Sequence, residues 1–160
     1  MTRLVRSTTE AFADFAAALN AEGLRAALGL LAEQTDFRFV GIWRFHGDYS
    51  AAAAHYDRQN PMVERIEAVP AAATYCSIVR EQELPFLTNY AVLDERLLLH
   101  PAREAVASYC GVPVVIGGEV AGTLCHYDFE PRDTSGVDTQ LMLMVAAYLA
   151  AGGHVPAFPH

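Results

Sequence analysis

The sequence predicts an α+β fold: a central antiparallel β-sheet flanked by helices. Three observations predict it. Residues Tyr109 to Arg132 hold two apolar runs, Val112–Ile116 and Val120–Tyr127, joined by Gly117-Gly118. Adjacent glycines between such runs are a strong hairpin signal, because both central turn positions need positive φ. The other strand runs are also short and tied partly by hairpins. Helical patterns stand before the first strand and after the last.

Taken in order, Ser7-Thr-Thr-Glu10 matches a capping box, and Phe12, Phe15, Ala16 and Leu19 follow at helical spacing. A second helix is expected over 22–33, with Leu24, Ala27, Leu28 and Leu31 on one face. The period then changes. Phe37, Phe39, Gly41, Trp43 and Phe45 alternate with Arg38, Val40, Ile42 and Arg44, which predicts a strand covered on both faces. His46-Gly47-Asp48 is a turn, and Tyr49–Tyr56 a second strand whose alanines allow close approach of a helix. Residues 57–71 read as a loop. Ala72–Glu83 reads as a short helix, Leu84–Thr88 as a short edge strand because of Pro85, and Asn89–Pro101 as a loop with a helical turn at Glu95–Leu98. Ala102–Ser108 reads as a short helix before the hairpin. A final helix begins near Asp138, carries Leu141, Met144, Val145 and Tyr148 on one stripe, and stops at Gly152-Gly153. The expected organisation is 1–34 as N-terminal helices of the same domain, 35–152 as its body and 153–160 as a mobile tail.

The 160 residues suit one domain, and 52% hydrophobic against 19% charged residues describes a globular chain. A net charge of −8, with arginine as the sole basic residue type, argues against nucleic acid or an anionic membrane as partner. The Met1–Arg6 start lacks the apolar core of a signal peptide. The apolar run Leu141–Ala151 is too short to span a bilayer, so a cytoplasmic location is expected. Cys76, Cys110 and Cys125 form no C-x-x-C pair, which disfavours a structural zinc site and points to reduced thiols.

From about Phe37 to Ala150 the order of motifs resembles a GAF domain, a sheet of the GAF/PAS-like kind. Tyr75-Cys76-Ser77 begins a helix ahead of a short strand, and His100-Pro101 precedes Tyr109-Cys-Gly-Val-Pro113. Gly122-Thr-Leu-Cys-His-Tyr-Asp128, Pro131-Arg132 and a last helix then match the family's closing pattern. The resemblance implies a sheet with terminal helices on one face and a ligand pocket on the other, and pairing through those helices. It implies a non-catalytic, small-molecule-sensing or regulatory domain that signals through a partner protein. The ligand's identity and any cofactor stay unknown at this stage. A cyclic nucleotide is disfavoured, since Asn89 is followed by Tyr90 and Asp94-Glu95 comes too soon. Bilin attachment is disfavoured too, since Cys125-His126 sits in a strand.

Pocket contacts are expected from Tyr75, Cys76, Ser77, Asn89, His100 and His126, with His126 projecting from its strand into the pocket and Trp43 in the core. A two-residue turn closed by Ile116 and Glu119 sets Val114 opposite Ala121 and Cys110 opposite Cys125. That register puts the two cysteines about 5.5 Å apart, within disulfide range. They are a candidate redox pair, against the simpler expectation of two buried thiols packing as small hydrophobes. Two rival functions remain: a thiol enzyme like the free methionine-R-sulfoxide reductases, which are stand-alone GAF domains, and a ligand-free dimerisation or docking module.

Overall fold

The computed structural model describes residues 6–62 and 66–160, so Met1–Val5 and part of the expected 57–71 loop lie outside the described residues. Helix α1 (Thr8–Glu22) starts on the expected capping box: Ser7 accepts from the Glu10 amide, and Glu10 reaches back to the Ser7 amide. Gly23, at φ 100°, ends it and turns the chain directly into α2 (Leu24–Glu33). Strands β1 (Phe39–His46) and β2 (Tyr49–Asp57) form the first hairpin. The 57–71 segment is more than a loop: β3 (Ile66–Pro70) pairs with β2 as an edge strand. A 3₁₀ turn (Ala71–Ala73) leads into α3 (Cys76–Gln82) and β4 (Phe86–Thr88), the opposite edge strand. Two further 3₁₀ turns, Ala91–Leu93 and Glu95–Leu97, occupy the expected loop. Strands β5 (Ser108–Ile116) and β6 (Glu119–Asp128) follow, joined by Gly117 and Gly118 at φ 60° and 80°. After a 3₁₀ turn at Thr134–Gly136, α4 (Thr139–Ala151) closes the chain, with Asp138 accepting from the Leu141 amide as its cap.

The expected helix over 102–108 is absent. Residues 102–105 form turns, and the end of the segment is taken by its neighbours: the Ala107 amide donates to Asp128, its carbonyl accepts from Ala91, and Ser108 enters the sheet. Tertiary pairing here overrides local helical tendency.

The sheet order is β3-β2-β1-β6-β5-β4, every pair antiparallel. Alternation along β1 and β6 divides the interior into two cores. Val40, Ile42 and Leu124 join Phe15, Leu28, Leu31, Met142 and Leu149 under α1, α2 and α4. Phe39, Trp43, Phe45, Cys125 and Tyr127 join Tyr75, Val79, Phe86 and Leu97 under α3 and the long loop. The two faces of β1 are both covered, as its sequence required. Residues 153–160 have no regular structure, yet they lie against the domain: Val155 packs on the helical core, and Phe158 sits 5.1 Å from the His46 ring.

The β5–β6 register departs from expectation. Ile116 faces Glu119 and Val115 faces Val120, but Ala121 then bulges out, so Val114 faces Gly122 and Cys110 faces His126. A bulge adds one residue to one strand and shifts all pairing beyond it. Gly122 is the residue this geometry needs. A Cβ there would overlap the Trp43 carbonyl on β1. We therefore expect Gly122→Ala to destabilise the domain by about 1–3 kcal/mol, the usual range for overpacking, as measured by urea denaturation. A change within experimental error would show that β1 and β6 are not held this closely.

Candidate functional site

The α3 side of the sheet holds a cavity of about 230 Å³. Its sheet wall comes from β1 and β6: Phe39, Trp43, Cys125 and Tyr127, continued by Phe129. Tyr109 of β5 joins them. The lid comes from Ala73, Thr74, Tyr75 and Cys76 at the start of α3, with Ala102 and Val106 from the loop. None of the described lining residues carries a charge.

Aromatic packing fixes the walls. Phe39 stacks on Tyr127 at 4.5 Å and meets Phe129 edge-on at 4.9 Å. Tyr75 meets Tyr109 at 5.5 Å and donates its hydroxyl to the Val106 carbonyl at 2.7 Å, tying α3 to the loop. Burial pushes the Tyr75 phenol up to about 12, so it stays a neutral donor. Tyr127 is held in turn by a 2.7 Å hydrogen bond to His55 Nε2 on β2. The Trp43 indole N–H is buried without a partner on this wall. A buried donor without an acceptor costs free energy.

Gly111 is the second glycine that the site requires. The Tyr109 ring lies back along β5 over Gly111, and a Cβ there would overlap that ring. The ring thereby carries its hydroxyl to Cys76 Sγ at 3.5 Å. Thr123 on β6 donates to the same sulfur at 3.0 Å.

Of the residues singled out from sequence, Tyr75 and Cys76 line the cavity and Cys125 joins them from the sheet. Ser77 turns away and donates to the Thr74 carbonyl at 2.7 Å. Asn89 is exposed, and its side chain accepts from the Thr134 amide and hydroxyl at 2.8 and 2.6 Å, which anchors the β6–α4 connection. His100 stands behind the wall: its ring packs 4.8 Å from Tyr75, Nδ1 accepts from the Ala102 amide, and Nε2 donates to the Thr74 carbonyl.

His126 is a correction. It shares the helical face with Leu124 and pairs with Val40 and Cys110, so it points away from the cavity and packs 6.0 Å from Phe37. Cys110 lies on the same helical face against Met142 Sδ at 3.7 Å, and burial pushes its thiol up to about 12. The expected Cys110–Cys125 couple is therefore replaced by cysteines on opposite faces; the sulfur next to Cys125 is Cys76. The residues missed from sequence are Phe39, Trp43, Tyr109, Tyr127 and Phe129. For Phe39 and Trp43 the signal was the aromatic and glycine face of β1, read only as core, whereas Tyr109, Tyr127 and Phe129 depend on the register of β5 and β6. Among the described residues no three His, Cys, Asp or Glu side chains converge as a metal site, and no helix is long and apolar enough to cross a membrane.

A family model for the GAF domain matches residues 21–152. Among solved structures, the GAF domain of a phosphoenolpyruvate-protein phosphotransferase from Acinetobacter superimposes with a TM-score of 0.69 at 15% identity, covering 92% of this chain and 93% of that one. The phycoerythrobilin-bound GAF domain of a cyanobacterial phytochrome gives 0.70 at 15% identity, with 94% and 96% covered. The free methionine-R-sulfoxide reductase of Neisseria meningitidis in complex with its substrate gives 0.65 at 14% identity, with 96% of each chain covered. These likenesses extend to the fold. No curated protein matches the sequence.

The buried histidine gives a pH prediction. Burial, with Arg58 nearby, holds His126 down at about 3, against 6.5 for a free imidazole. The unfolded chain therefore takes up a proton that the native state refuses, and stability falls as pH drops below 6.5. Between pH 7 and 5 His126 alone should cost about 2 kcal/mol, at roughly 1.4 kcal/mol per pH unit. His100 is lowered by burial in the same sense. We expect His126→Gln to flatten most of this slope in denaturant titrations at the two pH values. An unchanged slope would mean that His126 is solvated.

Proposed function

The chain belongs to the GAF domain family, a family of sensory and regulatory domains, and on that premise we propose that it is a sensor of a small uncharged molecule. The ligand occupies the aromatic cavity under α3, and its occupancy is passed to a partner protein. The observation that carries this reading is the cavity's make-up. Aromatic and thiol side chains surround it, and no Arg, His, Asp or Glu is among its described lining residues. Burying a charged group there would cost its hydration with nothing to replace it. The volume of about 230 Å³ lies just under the usual range for drug-sized ligands, about 300–1,000 Å³. Both properties support a small neutral molecule, and they disfavour a nucleotide or a tetrapyrrole.

We include in the proposal a homodimer through the terminal helices. Its support is the position of α1 and α4 on the face opposite the cavity, with Leu143 exposed and with Phe12 and Tyr148 half-buried in an edge-on contact at 5.4 Å. A symmetric pair covers such residual apolar surface. Signal transfer then requires only that the ligand bind two dimer arrangements with different affinity.

Trp43 is the chain's single tryptophan, so its fluorescence reports occupancy directly. Titration with a panel of small neutral aromatic fragments should shift Trp43 emission and raise the melting temperature. Val106→Phe, which fills part of the cavity, should weaken the tightest of them about tenfold or more, the equivalent of about 1.4 kcal/mol. Cyclic AMP should do neither. A protein that ignores every neutral fragment is a docking module, and one that answers only to charged ligands contradicts the reading. In sedimentation at micromolar concentration, a species of 17.4 kDa alone would contradict the dimer.

A further inference from the structure

The cavity lining carries a thiol pair to which the sensor reading assigns no chemistry. Cys76 is 2% exposed at the start of α3, and Cys125 is 1% exposed on β6. Both line the cavity, and their thiols are neighbours. Two hydroxyls converge on the Cys76 sulfur, Thr123 at 3.0 Å and Tyr109 at 3.5 Å. The glycine at 111 lets the Tyr109 ring reach it. Such a cluster is more than a thiol packed among hydrophobes, because three polar partners meet at one sulfur atom.

The two thiols are unequal. Burial raises both, but Cys76 accepts from Cys125, Thr123 and Tyr109 and is lowered on balance, whereas Cys125 is raised by burial and by the sulfur beside it. Negative charge therefore settles on Cys76, and Cys125 keeps its proton. A thiolate is the nucleophile in sulfur chemistry, and a neighbouring thiol completes a disulfide. Cys110 lies on the other face of the sheet, with Met142 against it.

The geometry points to a peroxide-reducing site in which Cys76 is the attacking thiolate, Cys125 is its resolving partner, and the substrate is a small, apolar organic hydroperoxide. The Cys76 sulfur attacks the outer peroxide oxygen and the O–O bond breaks. Cys76 becomes a sulfenic acid, and the alkoxide takes a proton and leaves as an alcohol. The Cys125 thiol then attacks the sulfenic sulfur, forming the Cys76–Cys125 disulfide and releasing water. The hydroperoxide gains two electrons and the thiol pair loses two. An external dithiol restores the reduced pair. The apolar walls select an alkyl hydroperoxide over charged oxidants. This inference stands apart from the sensor reading: a failed ligand titration leaves it intact.

The test is one equivalent of tert-butyl hydroperoxide added to the reduced protein, followed by thiol alkylation and mass spectrometry. We expect one hydroperoxide consumed per chain, two of the three thiols lost, and the remaining label on Cys110. Cys110 and Cys125 share the tryptic fragment between Arg103 and Arg132, so variants assign the bridge. Cys110→Ala should keep the cross-link. Cys125→Ala should abolish it and leave a Cys76 sulfenic acid that dimedone traps, and Cys125→Ser serves if the alanine variant does not fold. Consumption should fall at least tenfold in Cys76→Ser. The inference is overturned if Cys76→Ser consumes hydroperoxide as fast as the parent. Persistence of the cross-link in the Cys125 variants, or loss of all three thiols at one rate, overturns it as well.

Discussion

The close approach of β6 to β1 at Gly122 is the constraint on which the rest of the site depends. With no Cβ at this position, the strand lies against the Trp43 carbonyl, and one residue earlier Ala121 bulges out of the β5–β6 ladder. Side chains on a strand alternate with a strict period of two, so one extra residue exchanges the faces that two paired strands present to each other. That single displacement puts Cys110 opposite His126 on the helical side and Gly111 opposite Cys125 on the cavity side. Without it, two cysteines would face each other across the hairpin and the cavity floor would lose its present composition.

The cavity then follows from packing. Phe39 and Trp43 on β1 pack ring against ring with Tyr127 on β6, while Gly111 on β5 leaves the room that the Tyr109 ring fills. The open end of this wall is clasped by charge. Asp128, 2% exposed at the end of β6, accepts from the Arg38 amide, the Glu130 amide and the Arg132 side chain, each at 2.9 Å. Arg38 itself grips Asp57 through two bonds, at 2.9 and 3.0 Å, and lies over Phe39 at 4.6 Å. A buried carboxylate is costly unless its oxygens are satisfied, and these contacts satisfy Asp128 while holding the ends of β1, β2 and β6 in one place. Phe129, the next residue, is thereby aimed at the cavity mouth.

Much of this was legible in the sequence. Ser7 and Glu10 announced α1, and the glycine pair announced the last hairpin. The two apolar faces of β1 announced a sheet covered on both sides. These signals are local, and nothing elsewhere in the chain competes with them. Other features depend on partners far along the chain. The segment over 102–108 has helical composition, yet the backbone groups of Ala107 are claimed by Ala91 and Asp128. Ile66–Pro70 becomes a strand because β2 offers it an edge. The orientation of His126 depended on one bulged alanine. Gly122 was the hint, since glycine inside a strand often marks a bulge or a close backbone approach, but the turn alone suggested an unbroken register. Asn89 and His100 sit near the cavity in sequence terms, yet their hydrogen-bonding groups are spent on loop geometry, which no spacing rule discloses.

Cross-strand nuclear Overhauser contacts read the bulged register of the last hairpin residue by residue. In the isotopically labelled protein, backbone contacts across the last hairpin should link Cys110 with His126, Gly111 with Cys125 and Val114 with Gly122. Contacts that instead link Cys110 with Cys125 and Val114 with Ala121 would mean an unbroken hairpin. The two cysteines would then share a face, and the cavity floor described here would not exist.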